Sequence, residues 1–244
     1  MSGNLQRIQS STVGYSVQSL TVPYSAPSNQ QLVVYSVNAY NGTAADNAVG
    51  IYHSVAKPHF KVWQLLAAGD AEVTSTVQGG SAVSIFNTTN NDGCLFQAKE
   101  KFNLVTFNIS QASTGSPVYT FKYWNGAWTD LTLLNTPDFS TTGVQAILFN
   151  PPTDWVVGDG TETTDDTLYS IQIISTTAPS QAVQIDSVAV CKCLEYAENI
   201  GPGGSLYINF DVSPYLLQVG ESIIPFFSYA NSANRIDMTY KINP

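Results

Sequence analysis

Basic residues are scarce. Of 244 residues only nine are Lys or Arg, against eighteen Asp or Glu, for a formal net charge of −9. So few cations cannot neutralise many phosphates, which argues against nucleic-acid binding, and they offer little to an anionic membrane surface. Charged residues of either sign make up only 11% of the chain, well below the roughly 25% of an ordinary soluble domain. The polar surface must therefore be built from Ser, Thr, Asn and Gln, whose side chains compete for backbone hydrogen bonds and favour turns and strands over helix interiors. No apolar run reaches the length of a membrane-spanning helix, and no convincing helix is expected anywhere. The opening MSGNLQRIQSSTVGYSV carries no apolar core of the kind a secretory leader uses. Three cysteines are too few for a disulfide framework. Cys191 and Cys193 fall on one face of an extended strand, poorly placed to bridge each other; Cys94 could pair with either; free buried thiols are the expected state. The two histidines, His53 and His59 in HSVAKPH, lack companion ligands and read as exposed loop residues beside a proline. No G-x-S-x-G elbow is present. Nothing calls for a cofactor, and no enzyme activity is expected.

What is present reads as strand. The stretch YTFKYWNGAWTDLTLLNTPDFSTTGVQAILFNPPTDW, residues 119–155, sets two aromatic-rich runs around Asn125-Gly126. Asn-Gly predicts a hairpin with a type I′ turn, whose two central residues need positive φ. A turn cluster at 135–143 and a strand over 144–149 follow. Leu104 to Ile109 carries β-branched and aromatic residues throughout, and Ile236, Met238, Tyr240 and Ile242 alternate with Asp237, Thr239 and Lys241 as a half-buried strand does. Asn41-Gly42 predicts a longer hairpin loop. The fold class is all-β: an antiparallel, jelly-roll-like β-sandwich. Glycine breaks at Gly79-Gly80 and at residues 201–204 suggest that it is inserted into a second small β-sandwich. On that reading residues 1–15 are an arm, 16–80 with 198–244 form the small sandwich, and 81–197 the inserted one; a single large sandwich is the alternative.

Two groups of residues are candidates for binding. The loop GDGTETTDD sets Asp159, Glu162, Asp165 and Asp166 along a glycine-containing backbone, which offers Ca²⁺ its hard oxygen ligands, although the spacing is not that of an EF-hand and solvated surface acid is the plainer reading. Carboxylate pairs for a glycosidase could be drawn from Asp130, Asp138, Asp154 or Asp159, as from any acidic β protein. Among the aromatics, strand alternation puts Tyr119, Phe121 and Tyr123 on one face and Trp124 on the other. Exposed Trp and Tyr on a sandwich make platforms for sugar rings, whereas most of such a set fills the core. Tyr123, Trp124 and Trp128 are the candidate glycan or partner contacts, with Trp124 at the hairpin tip foremost.

The segments YWNGAW, PDFSTTGV and FNPPTDWV resemble a module recurrent in structural proteins of tailed phages. The matching residues are 123–128, 138–144 and 151–155. That resemblance implies a carbohydrate-binding-like sandwich in a virion structural protein of the capsid decoration or auxiliary type. Its partners would be the major capsid protein or other virion proteins and further copies of itself. A glycan-binding module of a tail or fibre is the alternative. The place implied is the virion, assembled in the host cytoplasm.

Overall fold

The computed structural model describes residues 6–11, 31–54, 59–160, 167–210, 215–217, 221–227 and 234–243. In chain order the first strands are β1 (Gln6–Ser11), β2 (Gln31–Tyr40), β3 (Asn47–Ser54), β4 (Phe60–Leu65) and β5 (Ala71–Glu72). One short helix, α1 (Thr74–Gln78), precedes β6 (Val83–Phe86), β7 (Gly93–Ala98), β8 (Leu104–Gln111), β9 (Val118–Trp124), β10 (Trp128–Asp130) and β11 (Gly143–Leu148). The chain continues through β12 (Tyr169–Thr177), β13 (Val183–Ile200), β14 (Ser205–Asn209), β15 (Tyr215–Leu217), β16 (Ser222–Phe227) and β17 (Arg235–Asn243). The fold is all-β with antiparallel sheets.

The chain divides into two compact units, Met1–Ala56 with Cys191–Pro244, and Lys57–Val190. These ranges differ from the expected 16–80 with 198–244 and 81–197. Residues 60–65 pair with β7 in register, Phe60 opposite Ala98 through Leu65 opposite Gly93, and so belong with the strands that follow them. Gly79-Gly80 ends a helix rather than a domain: the Gly79 N–H donates to the carbonyls of Ser75 and Thr76. That helix is itself a departure from expectation. It is one turn of TSTVQ, set by burial of Thr74 and Val77 and by the Thr74 hydroxyl, which accepts from the Val62 N–H at 2.9 Å.

In the first unit, β17 lies between β1 and β2, and β14 and β15 both pair with β2. β3 pairs with β16 on one side and with residues 191–200 of β13 on the other. Val34, Val37 and Ala39 of β2, Val49 and Ile51 of β3, Ile223 and Phe227 of β16, and Ile236, Met238 and Tyr240 of β17 bury one apolar core between these sheets. The alternation read along β17 is thus a core-facing row, each such side chain contributing roughly 1.5–3 kcal/mol by burial. Asn41-Gly42 does not close a hairpin, because β2 and β3 lie in different sheets. Asn41 is instead fully buried. Its Oδ1 accepts from the Thr43 N–H at 2.9 Å, and its Nδ2 donates to the Ile200 carbonyl at 2.7 Å, carrying the chain from one sheet to the other. Nor is His53 an exposed loop residue. β3 runs on to Ser54, which leaves His53 Nδ1 3.0 Å from Tyr215 Oη and Nε2 3.2 Å from Glu221 Oε2.

In the second unit one sheet runs β10-β9-β12-β7-β4-β5; facing it are β11, β8 and residues 183–190 of β13, with β6 also paired to β13. Aromatic rings fill the space between. Phe96 stacks on Phe107 at 6.4 Å, Phe107 on Phe139 at 5.7 Å, and Phe139 meets Tyr119 at 4.6 Å and Phe86 at 5.0 Å. Trp155 is buried against Phe102 and Phe149, and its Nε1 donates to the Ser170 carbonyl at 3.1 Å. None of the three cysteines is in a disulfide; Cys94 and Cys191 are buried and Cys193 is half-buried.

The β9–β10 hairpin forms, with Trp124 opposite Trp128, but its connection is three residues long rather than a two-residue type I′ turn. Gly126 takes φ +98° while Asn125 is not among the residues of positive φ. The Asn125 side chain is committed elsewhere: its Oδ1 accepts from the Thr129 hydroxyl at 3.1 Å and its Nδ2 donates to Asp154 Oδ2 at 2.9 Å. Those bonds hold Asn125 in place without the left-handed backbone.

Candidate functional site

The side chains on the six-stranded sheet of the second unit that point away from the core form a second organised face. Strand register sets them in rows: Glu72, Trp63, Leu95, Gln172, Lys122 and Asp130 lie side by side across β5, β4, β7, β12, β9 and β10. The next row runs Leu65, Gly93, Ile174 and Thr120. This is the solvent-side half of the sheet alternation, yet Leu95 and Gln97 on it are buried, so loops cover part of it.

Three segments raise walls around a cavity of about 370 Å³ on this face, within the size range of small-ligand sites. Its floor is Leu65, Leu95, Gln172 and Ile174; Asp70 and its neighbours, Asn90 to Asp92, and the pair Trp128 and Asp159 stand around it. The walls are fixed by backbone bonds. In the β4–β5 turn the Gly69 N–H donates to the Leu66 carbonyl at 3.0 Å, and Asp70 Oδ1 accepts from the Leu66 N–H at 3.3 Å. The β6–β7 loop is clamped to the end of β12: the Asn91 N–H donates to the Ser175 carbonyl at 2.8 Å, and the Ser175 N–H to the Asp92 carbonyl at 3.0 Å. Asn91 adopts φ +69°, a left-handed conformation that Asn tolerates better than most residues.

A buried polar chain underlies the Asp159 side. Gln97 Oε1 accepts from Trp63 Nε1 at 2.7 Å, while Gln97 Nε2 donates to Asp159 Oδ2 and to the Ser170 hydroxyl, both at 3.1 Å. One planar amide thereby ties β4, β7, β12 and the loop before β12. The Val156 N–H donates to the Trp124 carbonyl at 3.1 Å, the Gly158 N–H to the Leu168 carbonyl at 2.8 Å, and Gly160, at φ +72°, packs directly on the Trp124 ring.

Among the residues singled out from sequence, Trp128 lines the cavity, half-exposed, with its ring 5.4 Å from Trp124 in edge contact. Trp124 is half-buried beneath Gly160. Tyr123 points into the core side and donates its hydroxyl to Asp154 Oδ1 at 2.9 Å. Asp159 lies on the cavity wall, whereas Glu162, Asp165 and Asp166 fall outside the described residues. Among the described residues no group of three His, Cys, Asp or Glu side chains is arranged to hold a metal ion. The other acids have local roles. Asp154 takes hydrogen bonds from Asn125 and Tyr123 that hold its carboxyl below the usual range, and Asp138 is held low by the Ser140 and Thr141 hydroxyls of its own turn. Asp130 is exposed, 4.0 Å from Lys122. Sequence reasoning did not single out Asp70, Asp92, Gln97 or Gln172. Gln97 alone carried a signal, a polar side chain inside the otherwise apolar run GCLFQA.

No family model matches the chain, and no curated protein matches it. Among solved structures it is similar to a mutant form of chitosan-binding module 1 derived from a chitosanase/glucanase of Paenibacillus sp. IK-5. The identity is 14%, the match covers 57% of this chain and 98% of that one, and the TM-score is 0.35.

Proposed function

We propose that the chain is a non-enzymatic binding protein whose second unit takes a glycan in the cavity beside Trp128. The observation that carries this reading is the composition of the cavity: an indole on one wall, an apolar floor, and Asp, Asn and Gln side chains around it. A sugar ring has the matching chemistry. Its axial C–H face packs on an aromatic plane, and its equatorial hydroxyls need acceptors and donors set around the edge. The walls are held by backbone bonds before any ligand arrives, so little ordering cost falls on binding. A glycan array followed by isothermal titration calorimetry on the full chain tests the reading. Trp128→Ala should cost tenfold or more in affinity with an unchanged circular dichroism spectrum, and a silent array would overturn it.

A second reading places the chain on a virion as a capsid decoration or auxiliary protein that associates with capsid proteins and with copies of itself. It is supported by the resemblance of YWNGAW and its companion segments to phage structural modules, and by exposed apolar side chains, Val118, Leu134, Val156 and Val157 on the second unit and Tyr207 and Leu216 on the first. Co-sedimentation with capsids assembled without the chain tests it: saturable binding supports decoration, and its absence removes that role while leaving the glycan site untouched.

A further inference from the structure

We infer that the glycan is cationic, a sugar bearing protonated amines; this deepens the glycan-binding reading and rests on it. Three carboxylates, Asp70, Asp92 and Asp159, line the cavity, and no Lys, Arg or His stands among the described residues that do so. They come from three separate segments, so the negative potential converges from several sides. Backbone amides hold two of them: Asp70 Oδ1 accepts from the Leu66 N–H at 3.3 Å and Asp92 Oδ1 from the Ala67 N–H at 3.4 Å. Such bonds orient a carboxylate without cancelling its charge. The lysines of the same sheet are drawn elsewhere, Lys122 toward Asp130 at 4.0 Å and Lys61 over the Trp63 ring at 5.8 Å.

A recess with a largely apolar floor screens charge less than open surface does, so the field of these carboxylates is felt most inside it. An ammonium group brings three donors and makes charge-assisted hydrogen bonds to carboxylates, stronger than those a hydroxyl makes. The indole face of Trp128 adds an attraction for the same cation. An acidic sugar would meet only like charge here, and a neutral one would draw nothing from the excess of carboxylates beyond ordinary hydrogen bonds.

The test compares a glucosamine oligosaccharide with its fully N-acetylated counterpart of equal length, by calorimetry on the full chain below the amine's pKa. The amine form should bind at least tenfold more tightly at low salt, and the ratio should fall as salt is raised. Asp70→Asn combined with Asp92→Asn should collapse the ratio toward one, while Asp46→Asn combined with Glu195→Gln, an equal loss of charge at exposed positions of the first unit, should leave it unchanged. Equal or tighter binding of the acetylated form overturns the cationic assignment while glycan binding stands. A preference that survives the double substitution also overturns it, by placing the selectivity outside the cavity. If neither oligosaccharide nor any other glycan binds, the underlying reading falls and the inference with it.

Discussion

Gln97 is the position at which the fold and the cavity can be tested together. Its side chain is fully buried, and its hydrogen bonds include three that tie the site together, accepting from Trp63 and donating to Asp159 and Ser170. Gln97→Leu keeps the approximate volume and removes all three. A neutral bond contributes about 1 kcal/mol and a bond to a charged group about 1.5–3 kcal/mol, so the loss is roughly 3–5 kcal/mol, a large share of the roughly 5–15 kcal/mol that holds a domain folded. Thermal unfolding should fall by about 10 °C. Gln97→Glu asks a sharper question, because it replaces the amide donors with a carboxyl facing the Asp159 carboxylate. Burial and that neighbour raise the pKa of the introduced carboxyl in the folded state above the roughly 4.3 of a free glutamate. The folded protein then holds the proton more tightly than the unfolded chain. Stability of this variant is therefore retained below about pH 4 and lost as pH rises toward the raised folded value. Denaturant unfolding at a series of pH values reads this directly: the gap to the parent should be small in acid and widen toward neutrality, while the Leu variant shows a near-constant gap. A loss below about 1 kcal/mol for Leu, or a pH-independent gap for Glu, would refute the view that this amide organises the site.

Other substitutions separate backbone strain from contact. Gly160→Ala should cost roughly 2–4 kcal/mol and shift tryptophan fluorescence, since a β-carbon there adds overlap with the Trp124 ring to the strain of φ +72°, whereas Gly126→Ala, at φ +98° with open space around it, should cost only about 1–2 kcal/mol. Thiol labelling of the native chain should modify Cys193 first; burial raises the Cys94 and Cys191 thiols far above their ordinary pKa, and those two should react only on unfolding. The hydrogen bonds from Asn125 and Tyr123 depress the folded pKa of Asp154. Its contribution to stability is thus fully present above the unfolded carboxylate pKa and lost as pH falls through the depressed value. Fluorescence of the hairpin tryptophans should report acid loosening that Asp154→Asn flattens.

Strand positions were readable wherever one face is core. The alternation in β17 and the apolar density of β8 come straight from which side chains are buried, and burial leaves a period in the sequence. Domain limits were not readable from glycine. Gly79 and Gly80 terminate a helical turn, and the chain passes from one unit to the other within β13, an 18-residue strand without a glycine in it. A strand that serves both units shows no change of texture at the point of division. Turn geometry failed for a related reason. Asn-Gly is the usual mark of a type I′ turn when the asparagine is free to use its local conformational tolerance. Here a distant partner, Asp154, claims the Asn125 amide. His53 and Asn41 were misread in the same way, because the groups that fix them, Tyr215, Glu221 and the Ile200 carbonyl, lie far along the chain.

Of the residues that line the cavity, only Trp128 and Asp159 were among those singled out from sequence. Trp124 was foremost among the hairpin aromatics as the ring expected to be exposed at the tip, whereas the edge contact between the two rings leaves Trp128 on the cavity wall and Trp124 half-buried beneath Gly160. Of the carboxylates around the cavity, Asp159 was marked as a member of the acidic loop, while Asp70 and Asp92 did not stand out, and chain position explains why. Asp70, Asp92 and Asp159 sit in loops separated by whole strands, each next to a glycine and each reading locally as an ordinary turn acid. Antiparallel register brings the β4–β5 turn and the β6–β7 loop together at the end of the sheet where Leu65 lies opposite Gly93, while Asp159 comes from the loop that enters β12 at the other end, where Tyr169 lies opposite Ala98, and reaches the cavity across the sheet face. Gln97 shows the converse. It lies in the middle of a strand, where a polar side chain needs a partner, and its partners turn out to be the residues that hold the cavity in shape. A buried polar residue in an apolar strand is therefore the better pointer to this site than any run of acids, because burying an unpaired amide costs more than a loop carboxylate that water can solvate.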